Sequence, residues 1–78
     1  MKVQELKSRL KLEGFSSDLY SINNGPLPSY EGLILSRSNG QWKIEHFERG
    51  IRRELETFAS EEQACDRMYE LLMEHFSC

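Results

Sequence analysis

The run Trp42-Lys43-Ile44-Glu45-His46-Phe47-Glu48-Arg49-Gly50 constrains this chain more than any other part of it. Its alternation is that of a strand, with Trp42, Ile44 and His46 on one face and Lys43, Glu45 and Phe47 on the other. Ser38-Asn39-Gly40 stands before it, and Asn-Gly is the strongest short hairpin signal a sequence offers. Glu48-Arg49-Gly50 stands after it. There Gly50 permits a reversal, and Glu48 and Arg49 can fix the corner by local hydrogen bonds. Ile51 to Phe58 then returns as a strand whose alternation is imperfect, with Ile51 and Leu55 on the face of Arg53 and Thr57. Its arginines and glutamates suit a sheet edge, where charge discourages pairing with another sheet. Propensity alone also allows a helix over Arg52 to Glu56.

Upstream, Tyr30-Glu31-Gly32-Leu33-Ile34-Leu35 reads as a strand that is apolar on both sides near its end. Gly32 inside it points to a bulge or to the close approach of another side chain. Leu19-Tyr20-Ser21-Ile22 has short strand character, with Tyr20 and Ile22 on one face. Asn23-Asn24-Gly25-Pro26 is a turn signal, and Leu27-Pro28 lengthens it into an extended hairpin connection.

Helices close both ends of the pattern. Val3, Leu6 and Leu10 recur at helical spacing from about Lys2 to Glu13, and Gly14 suits the C-cap, with Phe15 folding back on the last turn. Ser60 and Gln63 form a capping box, and Glu61 and Glu62 favour the positive end of the helix dipole. The stripe Ala64, Cys65, Met68, Leu71, Leu72, His75 and Phe76 follows, with Asp66, Arg67, Glu70 and Glu74 turned to solvent. The order is α-β-β-β-β-α. Consecutive strands with short connections predict an antiparallel meander. Two helices with one apolar stripe each predict a two-layer α+β sandwich, the helices covering one face of the four-stranded sheet.

At 78 residues the chain is expected to be a single domain, 1–78. A domain this size buries only about 60% of the surface its unfolded chain exposes, which leaves little room for a deep active site and favours a surface site or a homodimer. A net charge of -3 argues against a nucleic-acid partner, which calls for a concentrated basic surface. No apolar run approaches the roughly 18 residues of a membrane span, and no signal-peptide pattern opens the chain. The expected location is the cytoplasm. There a disulfide between Cys65 and Cys78 is not expected: Cys65 reads as a small core residue and Cys78 as an incidental thiol.

The chemistry-bearing residues form no catalytic signature. Two histidines and two cysteines without metal-ligand spacing predict no metal site and no cofactor. There is no nucleophile elbow, phosphate loop or dinucleotide fingerprint, so no enzyme is expected. His46 beside Glu45 or Glu48 could act as an acid–base pair, though a polar residue on a half-exposed strand is the commoner case. Arg49, Arg52 and Arg53 lie near Trp42, Tyr30 and Phe47. The interleaved Glu45, Glu48, Glu54 and Glu56 should pair with them and repel phosphate. Trp42 reads as core, because a small domain needs the burial of a large ring; exposed beside Tyr30, it would be an interface anchor.

A strand of the form Trp-x-Ile with aromatic neighbours, then Glu48-Arg49-Gly50, then Phe58, then Glu61-Glu62-Gln63-Ala64-Cys65 on a helix, resembles small immunity proteins of bacterial polymorphic-toxin systems. Tyr20-Ser21-Ile22-Asn23-Asn24-Gly25 and Tyr30-Glu31-Gly32 are similar to that group as well. The resemblance implies a cytosolic protein that binds and blocks a cognate toxin domain, often a nuclease with a basic cleft. Glu31, Glu45, Glu48, Glu54 and Glu56 could complement such a cleft, with Arg49 at the corner, since opposite charge speeds encounter and sets specificity. The alternative is a small homodimeric adaptor or regulatory binding module without catalytic activity.

Overall fold

A computed structural model describes residues 1–23, 27–28 and 30–76 of the chain. In chain order it contains α1 (Val3–Leu12), a 3-10 turn (Ser17–Leu19), β1 (Tyr20–Ile22), β2 (Glu31–Ser38), β3 (Gln41–Glu48), β4 (Ile51–Phe58) and α2 (Glu61–Phe76). The architecture is α+β, and the α-β-β-β-β-α order read from the sequence holds. Ile51 to Phe58 is a strand and not a helix. Asn24-Gly25-Pro26 of the first turn signal, and Cys78, lie outside the described residues.

The sheet has the order β1-β2-β3-β4 but is not the antiparallel meander expected. β1 runs parallel to β2, with Tyr20 opposite Leu33 and Ile22 opposite Leu35. The other two pairings are antiparallel. Parallel pairing obliges the connection from β1 to carry the chain back along the sheet, normally over about a dozen residues or more. Gly32 is one reason the short connection fits here. A Cβ at that position would meet the Leu19 carbonyl and would stand 2.8 Å from Cγ of the buried Pro28. Gly32 thus marks a close approach, and the proline ring occupies the space a side chain would need.

Both antiparallel connections are two-residue turns. Ser38 pairs with Gln41 across Asn39-Gly40, and Glu48 pairs with Ile51 across Arg49-Gly50. Asn39 and Gly40 have φ of 54° and 78°, and Arg49 and Gly50 have φ of 51° and 83°. Two positive φ values in a two-residue loop define a type I′ turn, whose twist matches that of the strands.

Pairing slips once. Ile44 faces Glu56 while Glu45 faces Glu54, so Leu55 is an extra residue in β4. The extra residue inverts the alternation beyond it. Arg53 and Ile51 therefore share the face of Ile44 and His46, while Thr57, in register with Lys43, lies on the other. Grouping Thr57 with Arg53 is the error that strict alternation makes here.

One face of the sheet holds the core. Leu33, Leu35, Trp42 and Ile44 meet Leu6 and Leu10 of α1 and Ala64, Cys65, Met68, Leu71 and Leu72 of α2 in one buried cluster. Trp42 is 7% exposed, as a core ring should be, and Arg37 lies over it. Burial pushes the Cys65 thiol up to about 11. On the reverse face Ile34 and Phe47 are buried outside that cluster, together with Glu45.

The helix ends are tied by sequence-local and cross-helix bonds. Phe15 N–H donates to the Leu10 carbonyl and Gly14 N–H to that of Lys11, with Gly14 at φ 83°. These two bonds are a Schellman motif, and Phe15 completes it by packing on the core. Ser60 Oγ accepts from the N–H groups of Glu62 and Gln63. Glu61 reaches from the first turn of α2 to accept the Val3 N–H at 2.8 Å, supplying a cap that Lys2 does not.

Candidate functional site: the corner of the second hairpin

The β3–β4 turn stands at the end of the sheet where exposed side chains gather on the helix-side face. Arg49 is the focus. It occupies the left-handed region, which costs a non-glycine residue about 1 kcal/mol or more. Tyr30 holds it there in three ways. Arg49 N–H donates to the Tyr30 carbonyl at 2.9 Å, its Nε donates to the Tyr30 hydroxyl at 3.0 Å, and its guanidinium lies 5.6 Å from the ring centroid. Tyr30 nevertheless remains 58% exposed, and Ile51, directly after the turn, 68%.

Register brings further groups alongside. Glu31 is opposite Glu48, Leu33 is opposite His46, and His46 is opposite Arg53. His46 Nε2 lies 3.0 Å from Glu31 Oε2. That contact assigns the Nε2 proton to the bond with the carboxylate and leaves Nδ1 for other partners. His46 lines two adjoining concavities. One, of 270 Å³, is bounded by Glu48, Arg49, Ile51 and Arg53. The other, of 280 Å³, is bounded by Glu31, Leu33, Leu55, His75 and Phe76. A third, of 350 Å³, continues past Tyr30 and Leu19. Among the described residues no Ser, Thr or Cys lines the two cavities beside His46. No group of three or more His, Cys, Asp or Glu among them is placed to hold a metal ion.

The sequence-derived partner residues divide between the two faces. Glu31, Glu48 and Arg49 come together at the corner. Glu45 and Glu54 are neighbours in register on the reverse face, and Glu45 is bound to Arg52 at 2.8 Å and nearly buried. Glu56 is on the helix side, bound to Arg67 at 2.8 Å, and raises the Arg67 guanidinium by that bond. The acidic residues are thus not one patch.

The pairing of glutamates with the nearby arginines that the interleaved pattern suggested holds for Arg52 and not for Arg49 or Arg53. Arg52 takes Glu45, but Arg49 takes Tyr30, and among the described residues Arg53 has no hydrogen bond, ion pair or ring contact. Arg53 and Glu54 are consecutive in β4 and so lie on opposite faces, while the bulge at Leu55 sets Arg53 on the helix side with Glu56, which Arg67 already holds. His75 and Phe76 were legible only as the end of a helix stripe. Their place against Leu55 depends on how far α2 reaches across the sheet.

No protein-family model, no curated protein and no solved structure matches this chain. Among the described residues no helix is long and apolar enough to cross a membrane.

Proposed function

We propose that the protein is a binding module of the immunity class, which holds a cognate toxin domain at the β3–β4 corner and thereby blocks it in the cytoplasm of the producing cell. The observation that carries the reading is Arg49. A turn that asparagine or glycine would make without strain carries an arginine instead, and its guanidinium is fixed against an exposed tyrosine. Strain kept where a side chain is preorganised is a mark of a functional position. Tyrosine and arginine are also the residue types that dominate binding energy when a partner desolvates them.

Within this reading Glu31, Glu48 and Arg49 make the central contact, with Tyr30 and Ile51 as anchors. Glu54 lies at the margin. Glu45 and Glu56 serve the fold by holding Arg52 and Arg67. The resemblance of Trp42 to Gly50 and of Glu61 to Cys65 to immunity proteins supports the toxin as partner, a nuclease being one such toxin. The test is co-expression with the toxin encoded beside this gene. The wild-type chain should protect the cell and co-purify with the toxin, and Tyr30→Ala with Arg49→Gly should lose both. Toxicity unchanged by the wild-type chain would end the proposal.

A second reading, a homodimeric adaptor, draws on one observation. β4 is an edge strand, and Ile51 and Leu55 are exposed on it. A monomer in sedimentation at high micromolar concentration would remove it.

A further inference from the structure

We infer that the corner receives a carboxylate carried next to an apolar group, and that Arg53 is the residue that grips it. The inference rests on the binding-module reading and adds the chemistry of what is bound. Arg53 projects from β4 opposite His46, exposed, on the helix-side face. The other arginines are engaged: Arg9 over Tyr69, Arg37 over Trp42, Arg49 on Tyr30, Arg52 with Glu45 and Arg67 with Glu56. Arg53 alone among them has no such partner within the described residues.

Geometry narrows the ligand. Arg53 and Arg49 line the same 270 Å³ concavity, and with Arg49 bound to Tyr30 it is Arg53 whose guanidinium is left to meet a ligand there. A planar fork of donors matches a carboxylate in a bidentate pair. Glu48 lies on the rim of that space and Glu31 beside it, bound to His46. A dianionic phosphate would meet repulsion from both, while a singly charged carboxylate meets about half as much. His46 also borders the adjoining 280 Å³ concavity, where Leu33, Leu55 and Phe76 supply apolar wall. One ligand can therefore place its charge at Arg53 and its apolar group against Leu55 and Phe76. In a protein partner that carboxylate is either a chain terminus or an acidic side chain beside an apolar residue.

The experiment is nuclear magnetic resonance titration of the full, isotope-labelled chain with three probes. N-acetyl-leucine presents a terminal carboxylate, N-acetyl-glutamyl-leucinamide a side-chain carboxylate, and N-acetyl-glutaminyl-leucinamide none. The expected result is that a carboxylate probe shifts the Arg53 Nε–H and Leu55 methyl signals while the glutaminyl control leaves them in place. The tighter of the two carboxylates names the source. Arg53→Gln should weaken the binding about tenfold or more, with the core methyl signals of Ile44 and Leu72 unmoved. Equal shifts from the control, binding unaffected by Arg53→Gln, or inorganic phosphate binding more tightly than either carboxylate would each overturn the assignment. Protection from the toxin that survives Arg53→Gln sinks the carboxylate site and leaves the binding module standing. Probe binding at Arg53 without any captured toxin does the reverse.

Discussion

The two tight turns of this sheet have the same backbone and opposite contents. Asn39-Gly40 and Arg49-Gly50 both place two residues at positive φ, within a few degrees of each other. Asparagine belongs there, because its short polar side chain tolerates the left-handed region. Arginine does not, and its neighbours do the work of keeping it. The first turn follows the end of β2 where Arg37 covers the core indole of Trp42. The second turn presents Tyr30, Arg49 and Ile51 to solvent. Equal geometry with unequal residue choice separates a turn that only connects strands from one whose side chains are held for something else.

The largest expected difference between the two ends lies in their aromatic rings. Trp42→Ala removes a buried ring and should cost about 3–5 kcal/mol, close to the whole stability of a small domain. Tyr30→Ala removes an exposed ring and two side-chain contacts to Arg49, and should cost about 1 kcal/mol or less in stability. Urea unfolding of both variants checks this. A Tyr30→Ala loss as large as that of Trp42→Ala would make the corner part of the core and not a presented surface.

A pH titration sharpens the same division from the buried side. Burial raises the Cys65 thiol from 9.0 to about 11. Below pH 9 the thiol is protonated in both folded and unfolded chains and has no effect on their balance. Above pH 9 the unfolded thiol ionises first, so stability falls as pH rises from 9 through 11, by roughly 3 kcal/mol in all. Cys65 should also resist alkylation at pH 8 in the folded chain and react once urea unfolds it. Ready labelling of native Cys65 at pH 8 would show that the body is not closed as described.

What the sequence made legible follows the same division. Strands β2 to β4, both helices, the burial of Trp42 and the two turns were all readable, since alternation, Asn-Gly and helical stripes are local signals. The parallel entry of β1 was not. An Asn-Asn-Gly-Pro turn reads as a hairpin, and the close approach of Pro28 and Leu19 to Gly32 appears only once the chain is folded. The bulge at Leu55 was equally hidden: Ile51 to Thr57 fits either face until β3 sets the register. Glu31 and Glu48 share the helix side, and Glu45 and Glu54 the reverse face, by register and alternation; the displaced residue is what sets Arg53 on the face of Ile44 and Glu56.

The turns themselves can be exchanged. Asn39→Arg puts the strained residue where no tyrosine holds it, and should cost about 1 kcal/mol, read as a lowered urea midpoint with an unchanged slope. A null effect would mean that this backbone accepts arginine freely, and Arg49 would lose its claim to being retained for use.

The converse substitution has the smallest expected effect on stability and decides the most. Arg49→Asn relieves the strain of a long side chain at φ 51° and gives up one exposed hydrogen bond and one ring contact to Tyr30. Relief is worth about 1 kcal/mol, and an exposed hydrogen bond with a cation–π contact is worth about as much in the other direction. The net change should be within about 0.5 kcal/mol of zero. Toxin capture should nevertheless fall by about tenfold or more, because the guanidinium is gone from the interface. A residue that the fold can replace freely and the partner cannot is the signature expected of a preorganised contact. If instead Arg49→Asn unfolds the chain, the arginine is a structural brace of the corner, and the contrast between the two turns reverses its meaning.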